Sequence, residues 1–135
     1  MPDRRERGLL DTSTIIDLEE IDVSVLPISI AVSALTMAEL AAGPHATNDP
    51  EERGRRQDRL QRAEAAFDPL PFDGESARAY GRVLASVTAA GRKARGARAV
   101  DLLIAATALS AQLPLYTRKG EDFRALEELI EVFEV

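Results

Sequence analysis

Three acids, Asp11, Glu39 and Asp101, are placed where oxygen-ligated metal chemistry can be built. Each falls where an apolar segment meets a helix start: Asp11 after Gly8-Leu9-Leu10, Glu39 within Thr36 to Ala42, Asp101 ahead of Leu102-Leu103-Ile104-Ala105-Ala106. Taken singly, each has an ordinary capping explanation. Asp is a favoured N-cap, and Glu39 lies three residues after Thr36, the spacing of a capping box. The apolar run behind Asp101 predicts partial burial, and a buried carboxylate is costly unless a cap or a cation compensates it. Together, three uncompensated charges would repel and raise one another's pKa. A divalent ion removes that conflict and can polarise a phosphodiester oxygen and activate water. Mg²⁺ suits such a site because it uses few carboxylates and keeps several waters. Asp122, in Thr117-Arg118-Lys119-Gly120-Glu121-Asp122-Phe123, is the best fourth acid, with a helix cap as its alternative. Ser13 and Thr117 add hydroxyls that can orient water or phosphate, although hydroxyls are also common in turns.

Composition narrows the choice of ion. The 135 residues contain no cysteine and a single histidine, His45 after Gly43-Pro44, so thiolate sites are excluded and zinc catalysis is disfavoured. Hard cations remain: Mg²⁺, Mn²⁺ or Ca²⁺. With 45% hydrophobic and 30% charged residues, the chain reads as one globular domain, 1–135. No stretch approaches the roughly 18 apolar residues of a membrane span. Met1 to Arg7 is charged with no apolar signal core behind it, so a cytoplasmic protein is expected. A net charge of −6 argues against broad attraction to nucleic acid but allows a local basic groove.

The elements that must position these residues alternate between short apolar strands and longer helices, which predicts an α/β fold with a mainly parallel sheet. Gly8-Leu9-Leu10 ends a first strand, and Asp11 to Thr14 switches into helix. Ile28 to Val32 is a second strand after Pro27, and Thr36 to Ala42 is a helix stopped by Gly43-Pro44. Asn48-Asp49-Pro50-Glu51 opens a charged helix to about Phe67, with Leu60, Ala63 and Phe67 as a narrow apolar face. Glu75 to Ala90 is helical with Ala79, Val83 and Val87 in register, and Gly91 to Arg98 is a basic loop. Ala99 to Gln112 is a buried helix, Pro114 to Thr117 a short strand, and Ile130 to Val135 an edge strand. Arg98, about one turn before Asp101, is the better phosphate-binding candidate of that loop's Arg92, Lys93, Arg95 and Arg98. The arginines Arg53, Arg55, Arg56, Arg59 and Arg62 form an exposed helix face or a partner contact, with RNA as another possible ligand.

At these residues the sequence resembles a PIN domain, in particular a VapC-type toxin of a bacterial toxin–antitoxin pair. The matching segments are Leu9 to Ser13, Thr36 to Gly43, Asp101 to Ala108, and Leu115 to Arg118 with Asp122-Phe123. The resemblance implies a three-layer α/β/α sandwich. It implies Mg²⁺- or Mn²⁺-dependent endoribonuclease activity on transfer or ribosomal RNA, with Asp11, Glu39 and Asp101 as the acidic triad. Many relatives carry an acid or Asn two positions after the threonine; here Lys119 stands there, and the fourth acidic role falls to Asp122. A homodimer and a cognate VapB-type antitoxin that blocks the cleft are implied as well.

A catalytically inactive PIN-like binding module is the alternative, disfavoured by the three intact acids. A phosphoacceptor receiver domain needs an acidic pair after its first strand, and a haloacid-dehalogenase-like phosphatase needs an Asp at position 13. Thr12 and Ser13 fit neither.

Overall fold

The computed structural model describes residues 4–91 and 97–135. Its four strands are β1 (Arg7–Leu10), β2 (Ser29–Val32), β3 (Leu115–Thr117) and β4 (Val132–Glu134), in the order β2-β1-β3-β4. Every pairing is parallel, so each strand must be reached by a crossover. Helices α1 (Thr12–Ile16), α2 (Ala34–Ala42), α3 (Pro50–Ala66), α4 (Gly74–Ala89) and α5 (Ala97–Ser110) lie in those connections. Local chemistry sets their starts: Asp49 accepts from Glu51 N ahead of Pro50 in α3, and Asp73 accepts from Ser76 N in α4.

Alternation along the strands divides the core in two. Leu9, Ala31 and Leu115 join Val83, Val87, Ile104 and Phe123 on one face. Leu10, Val32 and Tyr116 join Ile15, Leu40 and Ala63 on the other. A sheet buried on both faces between helices is the expected α/β/α arrangement. The centre of β1 is tightly enclosed: a Cβ at Gly8 would run into the Tyr116 ring and stand 3.1 Å from Pro27 Cγ. Gly8→Ala should therefore cost ~1–3 kcal/mol. A lowered urea midpoint with an unchanged m-value would register it, and a parental midpoint would contradict the packing.

Two of the element starts that differ from expectation bear on the site. Helix α2 begins at Ala34, capped by Ser33, whose hydroxyl accepts from Leu35 N at 3.0 Å. Helix α5 begins at Ala97 rather than Ala99, which puts Asp101 more than one turn inside it. Four 3₁₀ segments (18–20, 23–25, 43–46 and 120–126) were not expected, being too short for periodicity to reveal. Of the anticipated basic loop, Arg92, Lys93 and Arg95 lie outside the described residues, as do Met1, Pro2 and Asp3. Among the described residues no helix is long and apolar enough to cross a membrane.

Candidate active site

Strand β1 delivers Asp11 to the carboxyl end of the sheet, where ligand sites of open α/β folds collect. The residue is 2% exposed, and its carboxylate is fully engaged. Oδ1 accepts from Thr14 N at 3.0 Å, Thr14 Oγ1 at 2.7 Å and Ser13 Oγ at 2.9 Å. Oδ2 accepts from Thr117 Oγ1, at the end of β3, at 2.6 Å. Thr117 in turn accepts from Lys119 N at 2.9 Å. Asp11 does cap α1, but half of its carboxylate serves the neighbouring strand instead.

Glu39 is not part of a capping box. Ser33 is the N-cap of α2, so Glu39 sits well inside the helix with no free amide within its reach. Its Oε1 accepts from Thr12 Oγ1 at 2.5 Å, and Thr12 Oγ1 lies 3.0 Å from Thr36 Oγ1. Thr12 has one hydroxyl proton. With that proton directed at Glu39, Thr36 must donate to Thr12, giving a directed chain Thr36→Thr12→Glu39 that also satisfies the fully buried Thr36 hydroxyl.

Asp101 is half-buried on α5, and its carboxyl is pushed up to about 6 from 3.8. Burial is the largest cause, Lys119 opposes it, and the negative charges of Asp11, Glu39 and Asp122 add to it. All four acids therefore act on one electrostatic neighbourhood. Asp122 lies in the 3₁₀ segment Gly120–Leu126, and its backbone carbonyl accepts from Arg98 Nη2 at 3.1 Å. Arg98 thus ties α5 to the segment carrying Asp122, and its buried Nε has no partner among the described residues. Ser13 and Thr117, expected to orient water or phosphate, are both bonded to Asp11.

Among the described residues, no three acids converge closely enough to hold a metal by themselves. The donors available are all oxygens, which select hard cations, and Mg²⁺ needs only one or two carboxylates plus waters. Half-buried negative charge that raises a neighbour's pKa is the imbalance such a cation relieves. The residues present therefore fit a divalent hard ion.

Residues 9–129 match the PIN domain family. The chain belongs to that family. This PIN domain is of the VapC type: it is 35% identical over 123 residues to Ribonuclease VapC5 of Mycobacterium tuberculosis, covering 89% of this chain and 87% of that protein. It is 31% identical over 126 residues to Ribonuclease VapC of Rickettsia bellii, covering 90% and 91%. The crystal structure of VapBC-5, a VapBC-family toxin–antitoxin system from Mycobacterium tuberculosis, superposes with a TM-score of 0.84 at 33% identity, covering 96% of this chain and 99% of that one.

Sequence reasoning about this PIN domain missed three hydroxyls that organise its acids: Thr12, Thr14 and Thr36. Thr14 was recoverable, because a residue three beyond an N-cap Asp is its usual donor. The Thr12–Thr36 contact joins two helices and left no local signal.

Proposed function

We propose that this PIN domain is a metal-dependent endoribonuclease that acts as the toxin of a toxin–antitoxin pair. The observation that carries the reading is geometric: Asp11 at the carboxyl end of β1 is bonded to Thr117 at the end of β3, and Glu39 is bonded to Thr12 beside it, while the charges of both push the Asp101 carboxyl upward after burial. Asp11, Glu39 and Asp101 would hold Mg²⁺ or Mn²⁺, one or two of them directly and the rest through the ion's waters, with Asp122 as the fourth acid. When bound, the ion supplies Lewis-acid activation of the scissile phosphodiester and of the attacking water. The chain's own contribution is orientation: Ser13, Thr14 and Thr117 fix Asp11, and the Thr36–Thr12 pair fixes the Glu39 side chain. The relatives named above support an antitoxin of the VapB type as partner, and a net charge of −6 suits a basic inhibitory segment. The protein is further proposed to be a homodimer, measurable by light scattering.

The test is incubation of the purified protein with structured RNAs in Mg²⁺, Mn²⁺ or chelator, beside Asp11→Asn and Asp101→Asn. Cleavage should require the ion and fall by roughly 10²–10⁴-fold in both variants. Equal cleavage by the variants, or in chelator, would refute the assignment.

A finer expectation concerns Thr12. Thr12→Val removes the donor to Glu39 and strands Thr36, so affinity for Mn²⁺ should weaken ~10-fold, in the range seen when a ligand's supporting hydrogen bond is lost. Thr12→Ser keeps the hydroxyl and should restore it. Calorimetric titration decides, and unchanged affinity in Thr12→Val would mean that Glu39 needs no clamp.

A further inference from the structure

Asp122 reaches the site on a segment with no strand or long helix to hold it. It lies in the run Gly120–Leu126, whose 3₁₀ geometry makes poor internal hydrogen bonds. Burial of Phe123 and Leu126 anchors the run in the core, but apolar contact is non-directional. Three side chains supply the direction by fixing the backbone of Lys119, Gly120 and Asp122. Thr117 Oγ1, which donates to Asp11, accepts from Lys119 N at 2.9 Å. Glu134 Oε1, at the end of β4, accepts from Gly120 N at 2.9 Å, and a Cβ at Gly120 would stand 2.5 Å from that oxygen. Arg98 Nη2, on α5, donates to the carbonyl of Asp122 itself at 3.1 Å.

Arg98 differs from the other two. Its Nε is buried without a partner among the described residues, while Nη2 is committed to Asp122 O. A buried donor left unpaired costs about as much as one hydrogen bond from a charged group returns, so the tie adds little net stability. The same two atoms form the side edge of the guanidinium, the edge that offers two parallel donors to a phosphate. With Nε enclosed and Nη2 engaged, that edge is closed to substrate. What the contact does deliver is position. Arg98 stands three residues before Asp101 on the same helix, about 4.5 Å along its axis, so its bond to Asp122 O sets one acid against the other.

We propose that Arg98 is a positioning residue for Asp122: by holding the Asp122 backbone against α5, it keeps the fourth acid within reach of the ion proposed for Asp11, Glu39 and Asp101. The inference rests on the metal-dependent reading above, and it replaces the phosphate-binding role expected for Arg98. Positive charge toward Asp101 comes instead from Lys119, at an exposed position.

The test is calorimetric titration of the metal-free full chain with Mn²⁺, for the parent, Arg98→Ala, Arg98→Lys, Asp122→Asn and the Arg98→Ala/Asp122→Asn double variant. Arg98→Ala should weaken Mn²⁺ binding about tenfold, as loss of a partner that orients a metal-binding group does. Arg98→Lys keeps a donor on a long side chain and should recover part of the affinity. The deciding quantity is the coupling: in the Asp122→Asn background, Arg98→Ala should cause no further loss, because nothing is left for it to position. A merely structural role would weaken both backgrounds alike. Thermal melts confirm that each variant is folded, and if Arg98→Ala is not, the same coupling is read from Arg98→Lys. Parental Mn²⁺ affinity in folded Arg98→Ala would overturn the proposal, as would a loss that persists beside Asp122→Asn. Weaker binding of a fluorescein-labelled single-stranded RNA by Arg98→Ala in chelator would also overturn it, returning Arg98 to phosphate contact. If the parent itself binds no Mn²⁺, the metal-dependent reading falls, a result distinct from failure of Arg98 alone.

Discussion

Asp101→Asn should cut cleavage by roughly 10²–10⁴-fold and, at the same time, make the metal-free protein more stable at neutral pH. The carboxyl is held at about 6 in the folded chain against 3.8 for an ordinary Asp, chiefly by burial. Folding thus favours the protonated form. The stability this group contributes is fully present below pH 3.8 and is lost as pH rises through about 6. At pH 7 the parent carries the whole penalty. A shift of about two units has a ceiling near 3 kcal/mol, and the partial solvent access of a half-buried group brings it to about 1–2 kcal/mol. An amide of the same shape avoids it, so the variant should melt roughly 3–8 °C higher at pH 7. The difference should vanish toward pH 4. Calorimetric melts of both proteins in chelator, at pH 7 and pH 4, check it. A variant that melts at or below the parent at pH 7 would show that Asp101 carries no such penalty.

Asp11→Ala should act with the opposite sign. This carboxylate receives three hydroxyls and one amide N–H, from Ser13, Thr14 and Thr117. Removing it uncaps α1 and strands buried donors on β3 and α1, a loss on the order of 3–5 kcal/mol. The melting temperature should fall by roughly 10–20 °C, together with loss of activity. Asp11→Asn keeps an acceptor for the cap and should lose less stability for the same loss of cleavage. If Asp11→Ala melts within a few degrees of the parent, the four hydrogen bonds contribute far less than their burial implies. Two acids of one cluster thus separate by their thermal behaviour: Asp11 holds the fold together, and Asp101 is held in place against its own preference.

That separation was only partly visible in the sequence. The strands read at Gly8 to Leu10, Ile28 to Val32 and Pro114 to Thr117 are apolar runs bounded by polar residues or proline, and all three are found with starts one residue away. The apolar faces of α3 and α4 follow from helical spacing, as Ala63, Val83 and Val87 show by their burial. What misled was local competition for the caps. Thr36 with Glu39 has the spacing of a capping box, yet Ser33 at the strand end caps first and frees Glu39 for Thr12. Asp101 looked like a helix start because the apolar run begins behind it, but Ala97 and Arg98 are adequate helix formers and extend α5 upstream. Partners far apart in the chain, such as Arg98 with Asp122 or Thr12 with Thr36, follow from tertiary packing and leave no periodic trace.

The bond from Thr117 to Asp11 spans 106 positions, and it depends on β3 docking beside β1. A ribosome adds roughly 5–20 residues each second, so Asp11 waits several seconds after its own synthesis before its partner exists. Until then its carboxylate is an ordinary solvated acid on an unfinished sheet. Under the activity proposed above, a nascent chain has no assembled nuclease with which to attack the translation machinery producing it. The danger begins only once the third strand is in place.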